Sequence, residues 1–251
     1  MPLAPDTPLH GMAAAIQSGD VSVQEVVGAA LHRIETLDAG LNAFTLVMDD
    51  SARLAASHAD TEIAAGRYRG PLHGIPISIK DLIDVAGVPT TAASQVTDRS
   101  PAGVDAPVVA RLRDAGAILI GKCNLHEFAF GTTGEDSAFG PTRHPLDADR
   151  SPGGSSSGSA VSVAAGMVTA SVGTDTGGSI RIPAAACGLV GLKPTFGELP
   201  TDGIVPLGPS LDHVGPLTRC VADARLMFTA MGGASLSAGS GQTTPLTRRL
   251  G

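Results

Sequence analysis

The sequence predicts an α/β fold in which helices cover a sheet, and three observations lead to that prediction. Short β-branched runs closed by glycine or proline recur from residue 70 onward, and each is apolar enough to form a buried strand. Helical patterns lie between these runs. The 251 residues have no long polar tract before about residue 232, so they can bury a sizeable core as one large domain.

Helices are predicted first along the chain. Asp6 or Thr7, followed by Pro8, can cap a first helix. Ser22 and Glu25 form a capping box that starts a second helix. Further helices are predicted at residues 50–65, 106–115, 159–166 and 218–231.

Four buried strands are predicted, at residues 75–79, 117–120, 168–172 and 189–192. Pro76 indicates that the first of them is irregular or lies at an edge, because proline cannot donate to the sheet ladder. Residues 232–251 have the small, polar, periodless composition of a disordered tail. The predicted division is therefore an ordered part, 1–231, and a Gly/Ser-rich tail.

Composition excludes several classes of partner. The chain has 17 Lys and Arg against 24 Asp and Glu, a net charge of −7, and no basic block, so direct nucleic-acid binding is not expected. The start has no basic segment followed by an apolar one, and no stretch reaches the ~18 apolar residues of a membrane span. A soluble, cytoplasmic protein without a membrane partner is expected.

No metal or cofactor is predicted. His126-Glu127 lacks the second histidine of a zinc-protease helix, and Asp147 with Asp149 lacks the rest of a calcium loop. The three cysteines are far apart, form no C-x-x-C pair and are expected to be buried, reduced thiols: Cys123, Cys187 and Cys220.

Two glycine–serine clusters carry the candidate chemistry, Ser151-PGGSSSGSA and Val172-GTDTGGSIRIPA. A glycine run lets consecutive backbone N–H groups point to one spot, and a serine at its end can present Oγ beside them. Flexible linkers share this composition. Both clusters lie within apolar sequence, however, where a linker would leave backbone groups unpaired. An acyl-transfer site is therefore the hypothesis.

Five runs occur in a fixed order: Gly74-IPISIKD, Gly121-KCNLHEFAFGTTGEDSAFGPTRHP, Ser151-PGGSSSGSA, Gly173-TDTGGSIRIPAAACGLVGLKPT and Ser210-LDHVGPLTR. Together they resemble the amidase-signature family. The resemblance extends from the N-terminal helices to about Met231. It implies a mixed β-sheet covered by helices on both faces, with residues 1–231 as the N-terminal and catalytic part of the domain. It also implies a small-molecule amide substrate and no cofactor.

The family's Ser–cis-Ser–Lys triad falls on Lys80, Ser155 and Ser179, at intervals of 75 and 24 residues. The resemblance implies Ser179 as nucleophile, Ser155 as proton relay after a cis Gly154–Ser155 peptide, and Lys80 as base. A lysine can be the base only if its pKa falls from ~10.4 toward neutrality. Lys80 follows an apolar strand, which supplies the burial that lowers it.

The resemblance implies further roles around the triad. The oxyanion hole consists of four backbone N–H groups, those of Thr176, Gly177, Gly178 and Ser179. Supporting residues are Ser156, Asp175 and Arg181, and the substrate-binding residues are Ala129, Gly131 and Thr132. One position departs from the family: Ser157 stands where a glycine is usual, which predicts a strained or shifted turn at Ser155 if that glycine's freedom is needed.

Two other interpretations of the first cluster are weaker. Gly154-SSS-Gly158 fits G-x-S-x-G, with Ser156 as the nucleophile of an α/β-hydrolase. That motif needs a strand before it, yet residues 145–152 are polar and broken by prolines. In this α/β-hydrolase interpretation, the acid is Asp175 or Asp202 and the base is His213, which follow Ser156 in the expected chain order. The cluster also resembles a phosphate loop, but Ser159 occupies the position of that motif's lysine.

Within the family, Leu125-HEFAFGTT and Asp202-GIVPLGPSLDHVGPLTR favour a stand-alone amidase. The alternative is the glutamine-hydrolysing subunit of a tRNA-dependent amidotransferase. A third hypothesis is a truncated, inactive fragment, because the family's domain normally continues well past the point where this chain breaks into its Gly/Ser tail. A homo-oligomer or a missing C-terminal complement is the protein partner that this third hypothesis predicts.

Overall fold

The computed structural model describes Ala4 and residues 6–234. The helices of this part are α1 (Leu9–Ser18), α2 (Val23–Leu41), α3 (Asp49–Ala64), α4 (Pro107–Asp114), α5 (Ser157–Ala164), α6 (Arg181–Ala186) and α7 (Val221–Ala230). Its strands are β1 (Phe44–Val47), β2 (Pro76–Lys80), β3 (Ile118–Cys123), β4 (Ala170–Asp175), β5 (Val190–Gly191) and β6 (His213–Thr218). The tail prediction lies, from residue 235 on, outside the described residues.

The six strands form one sheet in the order β1-β3-β2-β4-β6-β5. β2 is parallel to both β3 and β4, whereas β1, β6 and β5 pair antiparallel with their neighbours. Every residue of β2, β3 and β4 is buried. Since successive side chains point to opposite faces, both faces of these strands are covered. The predicted α/β class with a mixed, helix-covered sheet is confirmed.

The predicted strand at residues 75–79 is in the middle of the sheet, so the edge alternative suggested by Pro76 is wrong. The irregularity is present, because the pairing of β2 with β3 shifts register between Ile77 and Ser78. At one edge of the sheet, the predicted buried strand at 189–192 is reduced to the two half-buried residues of β5. Its expected burial on both faces is wrong.

The backbone N–H groups at the start of α1 donate to a residue that is distant in the sequence. Its N-cap residue is Pro8, with no side-chain cap, so the prediction that Asp6 or Thr7 caps this helix is wrong. Instead, the backbone N–H groups of the first two helical residues donate to the Asp223 carboxylate of α7, at 2.9 and 3.1 Å. A helix leaves its first N–H groups without internal partners, and Asp223 accepts two of them.

Other local signals give mixed outcomes. The capping box of Ser22 and Glu25 is confirmed. The predicted helix at 218–231 begins too early, because Thr218 is the last residue of β6. Among the cysteines, Cys123 is buried as expected, whereas Cys187 and Cys220 are only partly buried, which corrects that expectation. In the described residues, no helix has the length and apolar character needed to cross a membrane.

Candidate active site

Lys80 is the last residue of β2 and is fully buried. Its Nζ donates to Ser155 Oγ at 2.7 Å and to Thr174 Oγ1 at 2.9 Å. Burial lowers the pKa of Lys80 to about 7, although the charges of Asp175 and Asp212 act in the opposite direction. The amine can therefore lose its proton near neutral pH.

The sheet topology explains why these groups meet. β2 and β4 are parallel neighbours, with Ile79 opposite Val172. Their carboxyl ends therefore reach the same edge of the sheet. Lys80 ends β2 there, and Thr174 lies one residue before the end of β4. This pairing brings together segments that are 94 residues apart in the chain.

Ser155 lies in the loop that leads into α5, and its side chain is buried. The peptide bond between Gly154 and Ser155 is cis. The Ser155 carbonyl accepts the backbone N–H of His126 at 3.1 Å. A Cβ on Gly154 would lie 2.8 Å from the Gly134 nitrogen, so only glycine fits at this close approach. The loop is thus held against the segment that follows β3.

Ser156 connects this loop to β4 and to Ser179. Its Oγ donates to the Thr174 carbonyl at 3.2 Å and accepts the Thr174 N–H at 3.3 Å. Its backbone N–H donates to the Ser179 carbonyl at 3.3 Å. Because its hydroxyl is occupied by backbone groups, Ser156 has the position of a structural support. No hydrogen bond joins the Ser155 and Ser179 hydroxyls within the described residues.

Ser157 is the first residue of α5 and has a helical conformation. Its Oγ donates to Thr142 Oγ1 at 3.2 Å. Ser157 therefore replaces the family's glycine without the expected strain, because the backbone at this position has no positive φ. Gly158 is the position that must be glycine, since a Cβ there would lie 2.2 Å from the Ala43 oxygen.

Ser179 lies near the end of the loop between β4 and α6, and it is 7% exposed. In the part of the chain that the structure describes, the backbone N–H groups of residues 176–179 donate to no protein acceptor. Gly178 has a φ of +138°, in the region that favours glycine. In the described structure, four consecutive N–H groups without a protein acceptor therefore lie in the loop that carries Ser179.

Asp175 holds this loop through a bidentate ion pair. Arg181 Nε and Nη2 donate to its two carboxylate oxygens at 3.0 and 2.9 Å, and the Ile180 N–H donates to Oδ2 at 3.2 Å. Burial acts to raise the pKa of Asp175, but these donors outweigh it and keep that pKa below its ordinary value. Asp212, which sequence reasoning did not single out for this site, accepts the Thr176 hydroxyl.

Comparison with known proteins identifies the family of this chain. Residues 25–244 match the family described as Amidase. The chain belongs to the amidase family. Its relatives include a glutamyl-tRNA(Gln) amidotransferase subunit from Anaeromyxobacter dehalogenans (strain 2CP-C), which is 47% identical over 243 residues, or 97% of this chain and 49% of the relative.

Solved amidase-family structures are similar throughout the described fold. The peptide amidase of Stenotrophomonas maltophilia is 43% identical with a TM-score of 0.86, over 91% of this chain and 48% of that one. A glutamyl-tRNA(Gln) amidotransferase subunit from Thermotoga maritima is 37% identical with a TM-score of 0.77, over 90% and 46%. The chain spans about half the length of these relatives.

The predicted substrate-binding residues of this amidase-family chain lie at the end of the short 3-10 turn Glu127–Ala129 and just after it. Ala129 is buried, and Thr132 is exposed. Gly131 lies against His126, because a Cβ there would be 2.2 Å from the imidazole ring. A cavity of about 750 Å³ opens beside this segment, but its walls are neighbouring residues rather than these three: Gln95, Val96, His126, Glu127, Phe128, Phe130, Asp136, Ser137, Ala138 and Leu207. Substrate binding by the three stays a prediction.

The α/β-hydrolase arrangement does not form in the amidase-family fold. His213 Nδ1 contacts the Asp175 carbonyl at 3.1 Å, while the Ser156 hydroxyl bonds the Thr174 backbone. Among the described residues, no hydrogen bond joins Ser156 to His213, and the segment before Ser156 is a loop rather than a strand. Ser156 therefore lacks the base that this interpretation assigns to it.

A second buried lysine lies beside the first. Lys122, on β3, is opposite Ile79 of β2, and its Nζ is 3.1 Å from Asp81 Oδ1. Asp81 also accepts the hydroxyls of Thr45, at 2.8 Å, and of Thr91. Both charged groups of this pair are almost completely buried. The amidase-family chain therefore has a buried ion pair between Lys122 and Asp81, and Asp81 directly follows Lys80 in the sequence.

Proposed function

We propose that this amidase-family chain carries the chemistry for breaking a carboxylic amide through an acyl-enzyme on Ser179. The single observation that supports this most is the 2.7 Å contact between Lys80 Nζ and Ser155 Oγ, made by a lysine whose pKa is lowered to about 7. An amine that is neutral near pH 7 can act as a general base, whereas an ordinary lysine cannot.

The proposed reaction uses one proton path in both directions. Neutral Lys80 takes the proton of Ser155 while Ser155 takes that of Ser179, and the Ser179 oxygen attacks the amide carbonyl. The proton then returns through the same groups to the leaving nitrogen, which departs as ammonia or an amine. Water, activated by the same base, hydrolyses the ester to give the carboxylic acid and free Ser179.

Two features support the assignment of residues 176–179 as the oxyanion hole. Their N–H groups lack protein acceptors in the described structure, so they are free to donate to a negatively charged oxygen. The loop is also held at two points, by Asp175 with Arg181 and by Asp212. Donors that are fixed in advance stabilise a developing charge without reorganising.

The Ser155 to Ser179 step requires a contact that forms with substrate. Catalytic hydrogen bonds are often long before substrate binds and tighten in the complex. The bond from Ser156 N–H to the Ser179 carbonyl, at 3.3 Å, already keeps the two segments adjacent. In the proposed mechanism, substrate binding brings the Ser155 and Ser179 hydroxyls into contact.

A fluorophosphonate probe tests the nucleophile. We expect the probe to label Ser179, and the labelling to disappear in Ser179→Ala. Ser156→Ala is the matched control and should keep the label, because Ser156 hydrogen-bonds backbone rather than a base. A peptide map that places the adduct on Ser156 would contradict the proposal and favour the α/β-hydrolase interpretation.

The pH dependence of the reaction tests the base. The rate of amide hydrolysis should rise with pH through about 7 and then level, because only the neutral Lys80 amine can accept a proton. A rate that is flat between pH 6 and pH 9 would contradict a lysine base with this pKa. Ser155→Ala should remove the response together with most of the rate.

A second candidate function is the glutamine-hydrolysing part of a tRNA amidotransferase. It is favoured by the relative from Anaeromyxobacter dehalogenans, which matches 97% of this chain and is named as part of a glutamyl-tRNA(Gln) amidotransferase. Comparing hydrolysis of free glutamine with that of other primary amides separates the two. Exclusive use of glutamine supports the amidotransferase function, and efficient turnover of unrelated amides supports a stand-alone amidase.

A further inference from the structure

Three side chains of metal-ligating type converge outside the proposed active site, where α1 meets α7. They are His10 in α1, Cys220 just before α7 and Asp223 in its first turn, and their ligand atoms all lie within 4.8 Å of one another. His10 and Cys220 are separated by 210 residues, so no spacing motif could reveal the group.

The arrangement is not that of a catalytic Cys-His-Asp relay. In such a relay the acid contacts one imidazole nitrogen and the thiol contacts the other. Here both contacts are made to the same atom: Asp223 Oδ1 is 2.7 Å and Cys220 Sγ is 3.9 Å from His10 Nδ1. Three donors that converge on one point are instead typical of ligands around an ion.

The spacing suits a small tetrahedral cation. Tetrahedral zinc, with ligand bonds of about 2.0–2.3 Å, separates an imidazole nitrogen from a thiolate sulfur or a carboxylate oxygen by about 3.3–3.6 Å. The two measured separations, 3.9 and 2.7 Å, lie on either side of that range. Small side-chain adjustments would bring both separations into the range that zinc requires.

The surroundings hold the ligands in place and leave a route to solvent. Asp223 is fully buried and is fixed by the backbone N–H groups of Leu9 and His10. The Cys220 carbonyl accepts the Thr218 hydroxyl at 3.0 Å. The His10 side chain is 54% exposed, so an ion and a fourth ligand of water can reach the group.

We propose that His10, Cys220 and Asp223 bind one Zn²⁺ ion, which fastens the N-terminus of α1 to the start of α7. A thiolate and an imidazole together favour zinc over magnesium or calcium, which prefer oxygen ligands. Asp223 keeps its capping contacts to α1 and adds a bond to the ion. The thiol proton of Cys220 is released to solvent when the ion binds.

Cobalt(II), added alone to the full 251-residue chain, is the probe, because it occupies zinc sites and absorbs visible light. We expect one equivalent to produce tetrahedral d–d bands and a thiolate-to-cobalt charge-transfer band, both displaced by Zn²⁺. The charge-transfer band should disappear in Cys220→Ser. It should remain in the control Cys187→Ser, because burial raises the pKa of the Cys187 thiol to about 12.

His10→Ala gives a second readout that does not depend on the thiol. The variant should fold normally, because the side chain is mostly exposed, and its zinc affinity should fall at least about tenfold. Saturating zinc should raise the thermal midpoint of the wild type and of Cys187→Ser but not of His10→Ala. Absence of a charge-transfer band, or a band and zinc affinity unchanged in Cys220→Ser and His10→Ala, would overturn the site.

Discussion

Lys80 and Lys122 lie on the neighbouring parallel strands β2 and β3, and both are 0% exposed. Their partners differ. Lys122 faces the Asp81 carboxylate at 3.1 Å, whereas the near partners of Lys80 are the hydroxyls of Ser155 and Thr174. Burial lowers both pKa values, but the Lys122 charge has an adjacent counter-ion and that of Lys80 has only more distant carboxylates.

This difference separates two uses of a buried lysine. The adjacent Asp81 carboxylate stabilises the ammonium form of Lys122 and so opposes the lowering of its pKa by burial. Hydroxyl groups satisfy the hydrogen bonds of either protonation state of Lys80 without fixing its charge. The same strand pair thus holds one structural lysine and one that can exchange a proton near neutral pH.

The largest expected effect comes from breaking the ion pair. Asp81→Ala should lower the free energy of unfolding by about 3–5 kcal/mol, because it leaves the Lys122 ammonium buried without a counter-ion. Urea unfolding measures this. The double variant Asp81→Leu/Lys122→Met should recover most of the loss, since it removes both charges. A cost below about 1 kcal/mol in the single variant would mean that the pair is not desolvated.

Replacing the other lysine should affect catalysis instead. Lys80→Ala should reduce amide hydrolysis by at least ~10²-fold, the low end for a positioned acid–base group. Initial rates with a primary amide measure it. Lys193→Ala is a matched lysine control and should retain the wild-type rate, because Lys193 donates to the neighbouring Pro194 carbonyl and, among the described residues, to no group of the proposed site. Near-normal turnover in Lys80→Ala would remove Lys80 from the proposed mechanism.

Stability should also depend on pH through Lys80. Its pKa is about 7 in the folded chain, against an ordinary value of 10.5, so the unfolded chain binds more protons between these two values. The free energy of unfolding contributed by Lys80 therefore rises with pH over that interval, by up to about 1.4 kcal/mol per pH unit. Lys80→Met should lose this part of the slope. Identical slopes in wild type and variant would contradict the lowered pKa.

The smallest effects compare matched threonines. Thr174→Val removes a hydroxyl 2.9 Å from Lys80 Nζ, and Thr90→Val removes one 3.3 Å from Lys122 Nζ. Each should cost about 0.5–1.5 kcal/mol of unfolding free energy. Only Thr174→Val should alter the pH dependence of hydrolysis. An equal change in both variants would mean that the two lysines are not functionally distinct.

Sequence patterns that lie within a few consecutive residues predict much of the fold of this molecule. The capping box of Ser22 and Glu25 lies within four residues, so its outcome depends on little else. Lys80 follows an apolar run, and that run predicts its burial at the end of β2. The glycine clusters indicate that Ser155 and Ser179 lie on shaped loops. The catalytic roles of these residues stay predictions.

Signals that depend on register are not accessible from the sequence. Thr174 and Thr176 look alike in the run GTDTGG, and only the alignment of β2 with β4 brings Thr174 to Lys80. The strand β6 is missed because it contains Gly215 and Pro216, which argue against a strand. Pro216 is tolerated because its carbonyl still accepts the Leu192 N–H at 3.1 Å.

The pairing of β2 with β4 has a consequence for how the chain folds. Ser78 pairs with Ser171 across 93 residues, and such distant parallel pairings form slowly because a long loop must close first. Until then the Lys80 amine is open to water and to acylating reagents. The time course with which the Lys80 amine becomes protected from acylation during refolding therefore reports when the centre of the sheet closes.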